Sequence, residues 1–266
     1  MGKEHESFMA DATMEIASVA GWLWQRGWAE RNAGNISVRI DEDGLKQIVF
    51  AVDYQLLTLQ KPFSALRRQL FLVTGTNTRM RDVAAAPLDN ILLIRVNDDG
   101  TGYHIISPSA DTPLRPTSEL SSHLCIHDML LRKRAAHRVV MHTHVTELIA
   151  LTQINDLCDG LKLNRILLGM HPEARVFVPA GAGFVPYLLP GTAKIGEATV
   201  KALEDHDVAI WEKHGVFATG STPQETFDII DLLAKSASIW FLCRSAGYDP
   251  EGLTESQLEE LAKLKF

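Results

Sequence analysis

His142-Thr143-His144 lies inside the apolar run Val139-Val140-Met141 … Val145. Side chains two apart on a strand point to one face, so this spacing brings two imidazoles together. That geometry suits a zinc ion, which neutral ring nitrogens hold at ~2.0–2.1 Å. A half-buried strand carrying two incidental histidines has the same pattern, and H-x-H alone leaves the two readings open. His214 is the natural third donor, because Trp211-Glu212-Lys213-His214-Gly215 follows an apolar stretch and glycine allows close backbone approach. Three histidines without a fourth protein ligand leave a coordination position free, which is the catalytic rather than the structural arrangement.

A second cluster is Glu119, His123 and His127, spaced i, i+4, i+8 so that they share one face of a helix. The H-E-x-x-H pattern is absent. The plainer expectation is that His123 and His127 lie along the helix flank, with Glu119 favourably placed against the N-terminal dipole. Three small polar loops can offer backbone N–H groups and hydroxyls to a phosphate: Asn32-Ala33-Gly34-Asn35, Thr74-Gly75-Thr76-Asn77 and Pro116-Thr117-Ser118. Each also suits an ordinary turn. Neither a Walker sequence nor G-x-G-x-x-G occurs, so a nucleotide site has no support.

These residues need elements to position them. Met9, Ile16, Val19, Ala20, Leu23 and Trp24 predict an amphipathic helix over Phe8–Trp28, ending near Gly27. Ile36 to Ile40 alternates as a half-buried strand, and Gln69–Thr74 and Asn90–Val96 also read as strands. Asp98-Asp99-Gly100 turns the last of these into Tyr103–Ile106. Ser118–Arg134 reads as a helix capped by Thr117 or Ser118. Strands are expected at Arg138–Val145 and Val208–Phe217, with a helix at Thr146–Gln153. Thr222-Pro223-Gln224-Glu225 predicts a capping box and a long closing helix. No repeat or linker interrupts the pattern, so the expectation is one α/β domain over residues 1–266, a central mixed or antiparallel sheet flanked by helices.

Composition narrows the partners. The net charge of −7 comes with scattered basic residues, which leaves no footprint for a nucleic acid. A few N–H groups or one metal ion still make a local positive site for a small anion. The 46% hydrophobic and 22% charged content is that of a chain with a packed core. Cys125, Cys158 and Cys243 are odd in number and lack C-x-x-C spacing, which argues against a disulfide framework and points to a reducing, cytoplasmic setting. No apolar run reaches the ~18 residues a membrane span needs.

Taken together, Trp28-Ala29-Glu30-Arg31-Asn32-Ala33-Gly34-Asn35, Gly102-Tyr103-His104-Ile105, Pro116-Thr117-Ser118-Glu119-Leu120, His142-Thr143-His144, Pro190-Gly191-Thr192 and His214-Gly215-Val216-Phe217 resemble the class II aldolase family, in order and with spacing kept from about Gly21 to about Trp240. The resemblance implies that His142, His144 and His214 hold one zinc ion per subunit and that Glu119 is the acid/base carboxylate beside it. It also implies that Asn32, Gly34, Asn35, Thr76, Thr117 and Ser118 surround the phosphate and upper hydroxyls of a sugar phosphate. Thr76 stands where the family pattern leads one to expect serine. Glu173, in Met170-His171-Pro172-Glu173-Ala174-Arg175, matches a second carboxylate that the family supplies from a neighbouring subunit of a homotetramer.

The implied reaction is cleavage of a phosphorylated ketose between C3 and C4. A Lewis acid can hold the developing negative charge there without a Schiff-base lysine. Two other readings share the scaffold. A related sugar-phosphate aldolase or epimerase would use the same histidines, whereas an adducin-like interaction domain is expected to lack them.

Overall fold

The computed structural model describes residues 3–40, 55–106 and 114–264. In chain order these form α1 (Lys3–Gln25), β1 (Asn35–Arg39), β2 (Leu56–Thr58), a 3-10 turn (Ser64–Leu66), β3 (Leu70–Thr74), α2 (Met80–Ala85), α3 (Pro87–Asn90), β4 (Ile91–Val96), β5 (Gly102–Ile105) and α4 (Leu120–Lys133). There follow β6 (Val139–Thr143), α5 (Thr146–Leu151), a 3-10 turn (Asn155–Leu157), α6 (Gly160–Gly169), α7 (Pro172–Phe177), β7 (Ala182–Val185), α8 (Ala193–Leu203), β8 (Val208–Trp211), β9 (Gly215–Gly220), α9 (Pro223–Ser245) and α10 (Glu255–Leu261). The strands make one sheet in the order β2-β5-β4-β3-β1-β6-β9-β8-β7. Every pairing is antiparallel except β7 with β8, which α8 connects as a crossover. This is the mixed sheet flanked by helices that the sequence predicts.

Alternation along the strands divides the core into two faces. Leu70, Leu72, Ile91, Leu93, Val139, Met141, Val208, Ile210, Val216 and Ala218 point to one side and pack with Ile16, Val19, Ala20 and Leu23 of α1 and with Ile230 and Leu233 of α9. Phe71, Val73, Leu92 and Ile94 point to the other side, against Leu120 and Leu124 of α4. Val140, Ala209, Trp211 and Phe217 continue that second face against Ile126 and Met129 of α4 and Ile195 of α8. A sheet covered on both faces has few polar positions, so a polar side chain found beneath α4 requires a partner.

The structure departs from the sequence expectations in specific places. Val208–Phe217 is not one strand. It is β8 and β9, an antiparallel pair with Trp211 opposite Gly215, and Lys213 between them adopts a φ of 59°. Neither Thr117 nor Ser118 caps α4: Glu119 occupies the N-cap position without a side-chain cap bond, and the Thr117 hydroxyl accepts from the Glu119 N–H at 3.3 Å. At the start of α9, Thr222 caps Glu225 as expected, but the Glu225 carboxylate bonds Ser221, one residue before the cap. Trp24 is exposed on the flank of α1, where the Arg81 guanidinium lies 5.1 Å over its ring. His123 and His127 do not lie on an exposed flank either. Both are fully buried between α4 and the sheet. No helix among the described residues is long and apolar enough to cross a membrane.

Those two buried imidazoles make the fold acid-sensitive. Burial pushes His123 down to about 3 and His127 well below its ordinary value, while the unfolded chain takes up protons near pH 6.5. A folded-state value below the unfolded one gives stability that is complete above about pH 6.5 and declines as pH falls from there toward about 3. Replacing His127 with Phe removes one such group. The variant's melting temperature should therefore fall less steeply than the parent's between pH 6.5 and 4, and coincident slopes would contradict a neutral buried His127.

Candidate metal centre and active site

The pairing of β1 with β6 places Asn35 opposite His142, and the pairing of β6 with β9 places His142 opposite Phe217. His142 therefore faces α4, with its ring stacked on Phe217 at 4.5 Å between centroids and Trp211 at 5.4 Å. His144 lies just past the end of β6, where its backbone N–H bonds the Trp28 carbonyl at 2.9 Å and the Thr143 hydroxyl bonds the same oxygen at 2.6 Å. His214 comes from the β8–β9 turn. A side chain at Gly215 would put its Cβ 2.5 Å from the Thr143 carbonyl and 3.2 Å from the His144 ring, so only glycine lets this turn approach the other two histidines.

The outcome is a triad whose ligand nitrogens all lie within 4.8 Å of one another. Hydrogen bonds orient two of the rings. His142 Nδ1 donates to the Val216 carbonyl at 2.9 Å, and His144 Nδ1 meets a Glu30 carboxylate oxygen at 2.7 Å. Each bond leaves Nε2 with its lone pair free, the usual way a ligating histidine is held from its far nitrogen. Burial is the main cause that pushes His142 down to about 3 and His214 to about 4, with the neighbouring triad imidazoles adding to it. His142 and His214 are thus neutral, the state that binds metal. Three imidazole donors on one side of an open cleft fit a metal with a free coordination position.

Glu119 lies beside the triad, with Oε2 3.6 Å from His142 Nε2 and accepting from the Asn35 amide at 2.7 Å. The cleft of about 340 Å³ is lined by the triad, Glu119 and the three polar loops, with Asn32, Gly34, Asn35, Thr76, Thr117 and Ser118 all on its wall. Gly34 turns at a φ of 83°, and the Thr117 N–H and Thr76 N–H bond Thr74 and Arg115, which ties the second and third loops together. Sequence reasoning assigned no role to two lining residues, Glu30 and Arg31. Arg31 is the one Arg or Lys among the described residues of the wall, and its place directly before the Asn32 loop was the available signal. Glu173 is not brought to this cleft within the chain. It is exposed on α7 and pairs with His171 at 3.1 Å.

A histidine triad at the strand ends of a mixed sheet, with a carboxylate beside it, is accompanied by similarity along nearly the whole chain. The model of the Class II Aldolase and Adducin N-terminal domain matches residues 14–241, and the chain belongs to that family. Among its relatives, rhamnulose-1-phosphate aldolase of Bacteroides thetaiotaomicron is 40% identical over 262 residues, covering 97% of this chain and 96% of that protein. The Klebsiella pneumoniae enzyme of the same name is 36% identical over 245 residues, covering 90% and 87%. In structure, a sugar-phosphate aldolase from Thermotoga maritima superposes with a TM-score of 0.75 at 32% identity, covering 92% of this chain and 99% of the other. An L-fuculose 1-phosphate aldolase, at 19% identity and a TM-score of 0.63, shares the fold across 97% of this chain and 98% of its own.

The triad geometry generates a direct test. The purified protein should bind one divalent metal ion per chain, and His144→Ala, a change at a partly exposed ring, should lose stoichiometric metal while keeping its circular dichroism spectrum. A folded His144→Ala protein that still carried one ion would overturn the assignment.

Proposed function

We propose that this chain cleaves L-rhamnulose 1-phosphate between C3 and C4 to dihydroxyacetone phosphate and L-lactaldehyde, a step in the breakdown of L-rhamnose. The observation that carries the reading is the His142–His144–His214 triad with Glu119 3.6 Å from His142, in a chain 40% identical to a rhamnulose-1-phosphate aldolase over nearly its full length. The ion assigned to the triad is zinc, which supplies Lewis-acid stabilisation of the negative charge that develops on the ketose fragment.

The protein's own groups do the rest. Glu119 is assigned the proton at C3 of the dihydroxyacetone phosphate fragment, taking it in one direction and returning it in the other. Its Oε2 is fixed by the Asn35 amide and faces the triad, so it is oriented before substrate arrives. Asn32, Gly34, Asn35, Thr76, Thr117 and Ser118 hold the phosphate and upper hydroxyls through hydroxyl, amide and backbone N–H donors. Glu173 is assigned to the site of an adjacent subunit. Its exposure in the single chain and its pairing with His171 support a residue that acts across a boundary, and a cyclic homotetramer supplies such boundaries. Three free cysteines support a reducing cytoplasmic setting.

Incubation with rhamnulose 1-phosphate, fuculose 1-phosphate and ribulose 5-phosphate should release dihydroxyacetone phosphate fastest from the first, and preference for the second would reassign the substrate. Glu119→Gln should keep its metal and lose roughly 10²–10⁴-fold in kcat, the loss typical of a missing acid–base group. Near-normal turnover with intact metal would remove Glu119 from the chemistry. Light scattering should give a tetramer, and a fully active monomer would contradict the shared site.

A further inference from the structure

Beneath the cleft, a row of polar side chains crosses an otherwise apolar layer. From Glu119 inward, the Asn35 amide donates to Glu119 Oε2 at 2.7 Å, and Asn35 Oδ1 meets His123 Nε2 at 2.5 Å. His123 Nδ1 meets the Ser37 hydroxyl at 2.7 Å, and the same hydroxyl meets His127 Nε2 at 2.8 Å. Ser37, His123 and His127 are each at most 1% exposed, and Asn35 is 8% exposed. The row arises because two repeats match. One helical step of four residues rises about 6.0 Å, and two residues of strand span about 6.6 Å. Glu119, His123 and His127 on the helix side thus stay in step with Asn35 and Ser37 on β1.

The hydrogens in this row have one consistent direction. Facing a carboxylate, Asn35 must present its NH₂, which leaves its carbonyl toward His123. His123 Nε2 must then carry a proton and Nδ1 must accept, so the Ser37 O–H donates to His123 and its oxygen accepts from His127 Nε2–H. His127 Nδ1 ends the row as a bare lone pair, and it is a buried atom that has no hydrogen-bond partner among the described residues. In the reverse direction that buried atom would be an orphaned N–H, and Asn35 would turn its oxygen toward Glu119. Both ends of the row therefore select the same direction. Burial keeps both imidazoles neutral, as this arrangement requires.

We propose that His127, Ser37 and His123 are positioning residues which, by fixing the orientation of the Asn35 amide through this one-directional chain, hold the Glu119 carboxylate in its working position. They touch neither substrate nor the triad in this role. Its consequence for turnover rests on the aldolase reading above, whereas the hydrogen-bond direction does not. The second hydrogen of the Asn35 amide stays available to the cleft, so one side chain orients the carboxylate and still faces substrate.

The experiment uses the metal-loaded full chain labelled with ¹⁵N-histidine, together with kinetics of two variants. In the parent protein, His123 and His127 should both give neutral Nε2–H imidazole shifts. His123→Phe keeps a ring but offers Asn35 no donor, and it should retain its metal and KM while kcat falls about 10- to 100-fold, as when an orienting partner is removed. His123→Gln places an amide NH₂ where Nε2 stood and should recover most of that loss. A merely structural role predicts lowered melting temperatures with unchanged kcat per metal-loaded site, or equal losses in both variants, and either result overturns the proposal. An Nδ1–H tautomer at His123 also overturns it. Should both His123 variants fail to fold, Ser37→Ala decides: the His123 tautomer should become mixed and kcat should fall, and an unchanged tautomer with unchanged kcat refutes the chain. Nε2–H tautomers in a protein that cleaves none of the sugar phosphates would sink the aldolase reading and leave the relay standing.

Discussion

The register of β1 against β6 is the constraint on which the rest of the site depends. With Asn35 opposite His142 and Ser37 opposite Val140, the polar side chains of β1 and the first histidine of the triad all face α4. Because side chains alternate with a period of two, a slip of one residue would flip one strand against the other, either sending Asn35 to the α1 side with Ile36 under α4 or sending His142 there with Met141 under α4. The apolar residues hold the register against such a slip. Ile36, Val139 and Met141 are buried on one face and Val140 on the other, so a slip would misplace those of whichever strand moved. Chemistry and core packing are thus specified by the same alternation.

A layer that is apolar elsewhere accepts this polar row because nearly every group in it is paired. An unpaired buried hydroxyl or amide costs about 1–3 kcal/mol, so a half-made chain would be a liability in the core. Here only one lone pair, on His127, goes without a partner. The rings also supply ordinary packing: His127 lies 4.8 Å from Phe71 and His123 5.5 Å from Phe217, between centroids. Phe217 in turn stacks on His142. The relay histidines and the triad are therefore in contact through one aromatic side chain as well as through Glu119.

Much of this was legible in the sequence, and the gaps have physical causes. The spacing His142-x-His144 placed two imidazoles on one side correctly, although His144 lies past the last residue of β6 and owes its direction to the Trp28 carbonyl. The break between β8 and β9 was hidden because apolar residues continue on both sides of Glu212-Lys213-His214 and lysine gives no warning of a positive φ. The stripe Glu119, His123, His127 was visible at helical spacing, yet periodicity scores histidine as polar and assigns it to the surface. What buries it is a serine and an asparagine some 90 residues earlier in the chain, a tertiary pairing that no local window contains. Glu173 poses the complementary difficulty, since one chain places it exposed on helix α7, away from the cleft.

The same reasoning explains where the site sits and what is free to vary around it. Strand pairing fixes His142, the close approach at Gly215 fixes His214, and the Trp28 carbonyl fixes His144, so the triad is set by backbone geometry. Glu119 is fixed differently, through a side-chain chain anchored in the core. In the loops at Asn32–Asn35 and Thr74–Asn77, Gly34, Asn35, Thr74 and Gly75 are buried and the tips Asn32 and Asn77 are exposed. A floor of three histidines and a carboxylate set by the fold, beneath polar loop tips that are exposed, lets one scaffold keep a reactive centre while the exposed groups around it change. The fold shared with an L-fuculose 1-phosphate aldolase at only 19% identity shows that the alternation that builds such a sheet is a property of many sequences.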